Sequence, residues 1–197
     1  MVTMDQIKEL RELTGISVMQ CKKALEEAQG DMEKAKVILR KQGSDIALKK
    51  SERGLGAGVV ESYIHNTKQV GAIVVLSCET DFVAKNEGFI QLAREIAMQV
   101  AATAPQFSRR EDVTEEDTSA AEEVFRKEIE EQVGDKPKEM QEKILQGKID
   151  SFLKEKILLE QDYIKDSSLT IKGLIDSATQ KFGENIAISH FARYSVK

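Results

Sequence analysis

The side chains able to do covalent chemistry are few and badly spaced. The chain holds two cysteines, Cys21 and Cys78, with no CxxC spacing. That argues against a disulfide framework or a structural zinc site and for two small buried hydrophobes in a reducing compartment. His65 and Cys78 would make a thiol–imidazole pair only across a hairpin, and no oxyanion hole accompanies them. No GxSxG, HExxH, Walker-type loop or acidic metal loop occurs. Gly54, Gly56 and Gly58 alternate, but they do not follow a strand and open a helix. They suit a flexible joint better than a phosphate cradle. The neighbouring basic run Lys49-Lys50-Ser51-Glu52-Arg53 fits a phosphate or partner contact, or a solvated helix end, and the second is the commoner fate. What remains is recognition. Glu79-Thr80-Asp81-Phe82-Val83-Ala84-Lys85-Asn86 follows a strand-like run, and Thr80 or Asp81 can cap a short helical turn. Phe82 falls early in that turn, where a side chain often projects from the body, although a Phe is more commonly core. The pattern is that of a protein that acts by binding and is not an enzyme.

The elements that must carry these residues read clearly. Three short helices open the chain. Thr3 caps the first, with Ile7, Leu10 and Leu13 on one face and Gly15 at its end. Ser17 and Gln20 form a capping-box pattern for the second, with Ile16 and Cys21 at staple positions. Gly30 stops it. Asp31 caps the third, which buries Met32, Ala35, Ile38 and Leu39 and ends at Gly43. So small a bundle has little core to spare, which suits a binding module. Two strands follow, Val59 to His65 and Val70 to Cys78, joined by the polar turn Asn66-Thr67-Lys68-Gln69. A helix runs from Phe89 to Thr103 and Pro105 closes it. Residues 111–135 are acidic and helical, with Val124, Phe125 and Ile129 as a narrow apolar stripe. Gly134-Asp135-Lys136-Pro137 breaks the chain, and a long helix follows from Pro137 to Glu160. These two helices suit a hairpin or a packing surface for another subunit. Thr170 caps a last helix ending at Gly183, and Ile186 to Val196 reads as a third strand joining the hairpin. The fold class is α+β: a three-helix bundle, then a three-stranded antiparallel sheet with packed helices. The domains are 1–53 and 54–197.

Composition narrows the function further. The 197 residues are 41% hydrophobic and 32% charged, ordinary for a globular protein. The net charge is −5. Over residues 1–53, 11 Lys and Arg face 9 Asp and Glu, and over the remainder 18 face 25. Such a balance speaks against direct nucleic-acid binding, which needs many phosphate contacts. No apolar run approaches the ~20 residues that span a bilayer, and the opening residues are not those of a signal peptide. A cytoplasmic protein without a membrane partner is expected.

Several segments in order resemble the elongation factor Ts family. They are Leu10 to Gly15 and Met19 to Asp31, the run Cys78 to Asn86, Lys143 to Lys148 with Leu158 to Gln161, and Phe191 to Tyr194. The resemblance spans nearly the whole chain. It implies a guanine-nucleotide exchange factor acting on the translational GTPase elongation factor Tu, with no cofactor and no metal of its own. It implies that the bundle is like a ubiquitin-associated domain and docks on the GTPase's nucleotide domain, with Met19 and Lys22 in the contact. It implies that Thr80, Asp81, Phe82 and Val83 enter near the bound magnesium, Phe82 as a wedge. His65 and Asn66 would reach another partner domain from the hairpin tip. The chain resembles the short form of the family, and longer members carry a second core subdomain. The consecutive Ile157, Leu158 and Leu159 spread the long helix's apolar positions beyond one stripe, and a homodimer built on residues 59–79 and 186–196 and the neighbouring helices would cover such a face and replace that subdomain by symmetry. Two other readings stay open: a generic interaction protein with a ubiquitin-associated-like head, and an RNA-binding factor using Lys49, Lys50 and Arg53.

Overall fold

A computed structural model describes residues 2–133 and 136–196. The expected break at Gly134-Asp135 lies outside the described residues. The N-terminal unit has three helices: α1 (Met4–Thr14), α2 (Val18–Glu27) and α3 (Met32–Lys50). The expected caps are in place. Thr3 accepts a hydrogen bond from the Gln6 amide, and the Thr3 amide donates one to the Gln6 side-chain oxygen, a full capping box. Ser17 accepts from the Gln20 amide, but the Gln20 side chain meets the Ser17 hydroxyl at 3.2 Å, so only half of that box forms. Asp31 accepts from both the Glu33 and Lys34 amides. Ile7, Leu10, Ile16, Cys21, Ala24, Leu25, Ala35 and Leu39 form a separate apolar cluster. Leu13 was expected in it but stands exposed.

The third helix does not end at Gly43. It continues to Lys50. Gly43 is buried where α3 crosses α8 (Ile171–Phe182). A methyl there would lie 3.0 Å from the Gln180 side-chain oxygen and 3.4 Å from the Asp176 carbonyl. The glycine admits a neighbouring helix rather than stopping its own, and tertiary contact overrides the propensity cost of roughly 1 kcal/mol. Arg40 donates to Ser168, Ser44 to the Asp176 carboxylate at 2.8 Å and Lys50 to the Gly183 carbonyl at 2.7 Å, fastening α3 along the body.

The body holds the expected antiparallel sheet in the order β1-β2-β5, from β1 (Ala57–Ile64), β2 (Val70–Cys78) and β5 (Ile186–Ser195). Gly58 belongs to β1 rather than to a loose joint, and a Cβ there would meet the Leu76 carbonyl at 2.5 Å. One sheet face packs on α5 (Glu87–Thr103) through Ala72, Val74, Leu76, Phe89, Ala93, Ile96 and Val100. The helices α6 (Glu115–Val133) and α7 (Lys138–Lys156) pack on each other, with Phe125 edge-on to Phe152. The second helix stops at Lys156, four residues before the expected Glu160. Ile157 bridges Phe107, and Leu158 begins a short 3-10 turn. The apolar run Ile157-Leu158-Leu159 therefore packs within the chain. It does not spread round a helix and leave a face uncovered.

A small ribbon, β3 (Asp162–Tyr163) with β4 (Asp166–Thr170), went unread in the sequence. It is pinned by the buried Gln99, whose side chain donates to Gln161 and the Asp162 carbonyl and accepts from the Ile164 amide.

Candidate functional site

The run after β2 builds a short helical turn, α4 (Asp81–Ala84), whose frame is firmly held. Val83 and Ala84 are buried in the main apolar cluster. Phe82, between Asp81 and Val83, is 86% exposed. A turn whose inner side is buried thus carries a phenyl ring on its outer side. This is not the core Phe that composition alone favours.

Thr80 holds the capping position, yet it does not cap. Its amide and hydroxyl both donate to the Glu184 carboxylate, at 3.0 and 2.5 Å. The Cys78 thiol donates to the Thr80 carbonyl at 3.2 Å. Burial, then the nearby Glu184 charge, pushes that thiol up from its ordinary pKa. Asp81 is exposed and accepts from Lys85 one turn on at 2.6 Å. That hydrogen bond, reinforced by the ammonium charge, holds the Asp81 carboxyl below the usual range.

The residues of this turn therefore divide. Thr80, Asp81 and Phe82 face outward, and Val83 serves the core. His65 and Asn66 are exposed at the tip of the β1–β2 hairpin, with the Tyr63 hydroxyl 3.3 Å from His65 Nδ1. The ladder runs from Ala57 opposite Cys78 to Ile64 opposite Gly71. The tip and the Phe82 turn thus stand at opposite ends of it, roughly 25 Å apart at strand rise. The same separation rules out a His65–Cys78 catalytic pair.

Met19 and Lys22 are exposed on α2, where Lys22 meets Glu26 at 3.7 Å. Leu13 and Val18, missed as surface residues, are exposed near Met19 in the chain. In the basic run, Lys50 is bound to Gly183 and Arg53 to Glu79 at 3.5 Å. Two of its cations are thus spent inside the molecule, which weakens the RNA reading. Among the described residues no cluster of His, Cys, Asp and Glu is arranged to hold a metal ion. None of their helices is long and apolar enough to cross a membrane.

Comparison with known proteins gives one consistent result. Residues 5–197 match the profile of the family described as Elongation factor TS. The chain is 47% identical over 195 residues to elongation factor Ts of Thermotoga neapolitana, covering 99% of this chain and 97% of that protein. It is 46% identical to that of Thermodesulfovibrio yellowstonii, covering 99% and 96%. The counterpart in Carboxydothermus hydrogenoformans is 46% identical, with 100% and 89% covered.

Proposed function

The chain belongs to the elongation factor Ts family, the nucleotide-exchange factors of the translational GTPase elongation factor Tu, and from that premise we propose how its surface works. Phe82 is the wedge. It enters the GTPase near the magnesium and phosphates of bound GDP, disturbs their ligands and lets GDP leave so that GTP can bind. Asp81 makes polar contacts beside it, Thr80 holds the base of the turn, and Val83 anchors the turn from within. Residues 1–53 supply docking through Met19 and Lys22. Residues 54–197 carry the wedge and, through His65 and Asn66, a second contact about one hairpin length away.

The single observation that carries this is the exposed Phe82 on a turn with a buried inner side. An aromatic held outside by a fixed frame is ordered before it binds, so little is lost on docking. The physics is linkage. A factor that binds the empty GTPase more tightly than the GDP form is itself weakened by GDP to the same degree. A thousandfold loosening needs roughly 4 kcal/mol of differential binding. Magnesium bridges phosphate oxygens and GTPase side chains, so moving its ligands is an efficient source. A buried aromatic anchor contributes a few kcal/mol of it. The test is release of labelled GDP from elongation factor Tu with the parent chain and with Phe82→Ala. Equal rates would reject the wedge.

We also propose a second copy of the chain as a partner. The sheet face turned away from α5 exposes Val60, Ile64, Ile73 and Tyr194 on all its strands. Apolar side chains standing together on an open sheet face favour isologous pairing. Phe82, beyond the end of β2, stays free in such a dimer. Sedimentation equilibrium tests it, and a mass near the 22.0 kDa of one chain would reject it.

A further inference from the structure

The wedge turn is not held by its own cap. It is held by a second segment, the turn between α8 and β5. Glu184 in that turn is half-buried and places both carboxylate oxygens on Thr80, one on the amide and one on the hydroxyl. The next residue completes a crossed pair: the Asn185 amide donates to the Glu79 carboxylate at 2.6 Å. Glu79-Thr80 and Glu184-Asn185 thus grip each other reciprocally. The Asn185 side chain, in turn, donates to the Ser51 and Arg53 carbonyls at 3.3 and 2.9 Å, and Arg53 meets Glu79. One short turn therefore ties the exit of α3 to the base of Phe82. With the Cys78 thiol and the Ala84 amide on the Thr80 carbonyl, every polar backbone and side-chain group of Thr80 is engaged.

We propose that Glu184 is a positioning residue for nucleotide exchange: its forked hold on Thr80 fixes the turn so that Phe82 meets the GTPase already in its working pose. Asn185 sets that fork relative to the segment leaving the N-terminal helices. The inference rests on the wedge reading of Phe82 and adds the residue through which the wedge is aimed. Freed from Glu184, the turn samples other poses. Only the competent fraction can insert, and the apparent strength of insertion falls by that fraction. Initial docking through the N-terminal helices is untouched.

The test uses the full chain and four variants: Glu184→Ala, Glu184→Gln, Phe82→Ala and the double variant of Phe82→Ala with Glu184→Ala. Maximal release of fluorescent GDP from elongation factor Tu is measured at saturating factor, alongside amide hydrogen exchange of residues 79–86 in the free protein. Glu184→Ala removes both hydrogen bonds to Thr80 and is expected to slow maximal release at least about tenfold, the smallest loss that charge-assisted hydrogen bonds predict, and to speed amide exchange across the turn. Glu184→Gln should restore most of the rate, because its oxygen can accept from the Thr80 amide while its NH2 donates to the hydroxyl. In the Phe82→Ala background the Glu184 change should add nothing, since both act through one side chain. Parent-like release by Glu184→Ala, or an equal loss with and without Phe82, would overturn the proposal. Parent-like release by Phe82→Ala would overturn the wedge itself. Faster amide exchange in Glu184→Ala would still mark the clamp as real, so the two failures are told apart. Glu184→Asp keeps the charge but withdraws the fork by one methylene, and should behave as Glu184→Ala if the latter folds poorly.

Discussion

Gly43→Ala gives opposite answers for the two ways of placing this glycine. Had it ended α3, it would sit in a left-handed cap and alanine there would destabilise by about 1 kcal/mol. Inside a continuous helix, alanine gains up to roughly 1 kcal/mol of helix propensity. Against that gain stands the space. The new methyl approaches the Gln180 side-chain oxygen at 3.0 Å and the Asp176 carbonyl at 3.4 Å. The first is the end of a flexible side chain with no hydrogen-bond partner, so it can yield by a few tenths of an ångström. The second is ordinary contact. The net expectation is a stabilisation between about 0 and 1 kcal/mol, which raises Tm by up to roughly 4 °C in a chain of this size. Gly43→Leu is expected to do the reverse. Its side chain must push α3 off α8, at a cost of about 1–3 kcal/mol. Urea unfolding followed by circular dichroism measures both. Loss of stability by about 1 kcal/mol or more in Gly43→Ala would refute the reasoning that Gln180 yields and that helix propensity decides the sign.

Ile73→Lys on the open sheet face should convert a dimer to a 22.0 kDa monomer in sedimentation equilibrium without unfolding it, because the position is exposed in the single chain. A 54–197 fragment should bind elongation factor Tu much more weakly in titration calorimetry, and undiminished affinity would count against docking through residues 1–53. That fragment also loses the α3 contact with α8, so its melting point must be measured beside its affinity. Cys21 and Cys78 are both buried, and the Cys78 thiol is pushed up. Ellman's reagent at pH 8 should therefore react with them only on unfolding, and rapid labelling of the native chain would contradict their burial.

The sequence was most legible where local chemistry decides structure. Thr3, Ser17, Asp31 and Thr170 cap as their types suggest, because a capping oxygen needs only the next few amides. The strand Val70–Cys78 is where its β-branched run puts it, and the C-terminal strand also lies where expected. The failures lie where a distant segment overrules the local signal. Gly43 looks like a stop until α8 is beside it. Ile157-Leu158-Leu159 looks like excess apolar surface on a helix until the helix ends at Lys156 and Phe107 is there to pair. Thr80 looks like a cap, but Glu184, far along the chain, takes its hydroxyl. The site divides in the same way. The exposed tip at His65 and Asn66 could be read from the polar turn. The outward pose of Phe82 could not be read from residue type, since Phe is usually core, and it follows from Val83 and Ala84 filling the inner side.

The central claim, that exchange runs through Phe82, is met most directly by stopped-flow release of fluorescent GDP from elongation factor Tu at saturating parent chain or Phe82→Ala. The ring is 86% exposed in the free chain, so its removal should change stability by no more than about 0.5 kcal/mol. Burying a phenyl ring contributes about 2–3 kcal/mol, so Phe82→Ala should release GDP roughly 30- to 150-fold more slowly than the parent while still binding the GTPase. Release within about twofold of the parent, or a variant that unfolds, would contradict it.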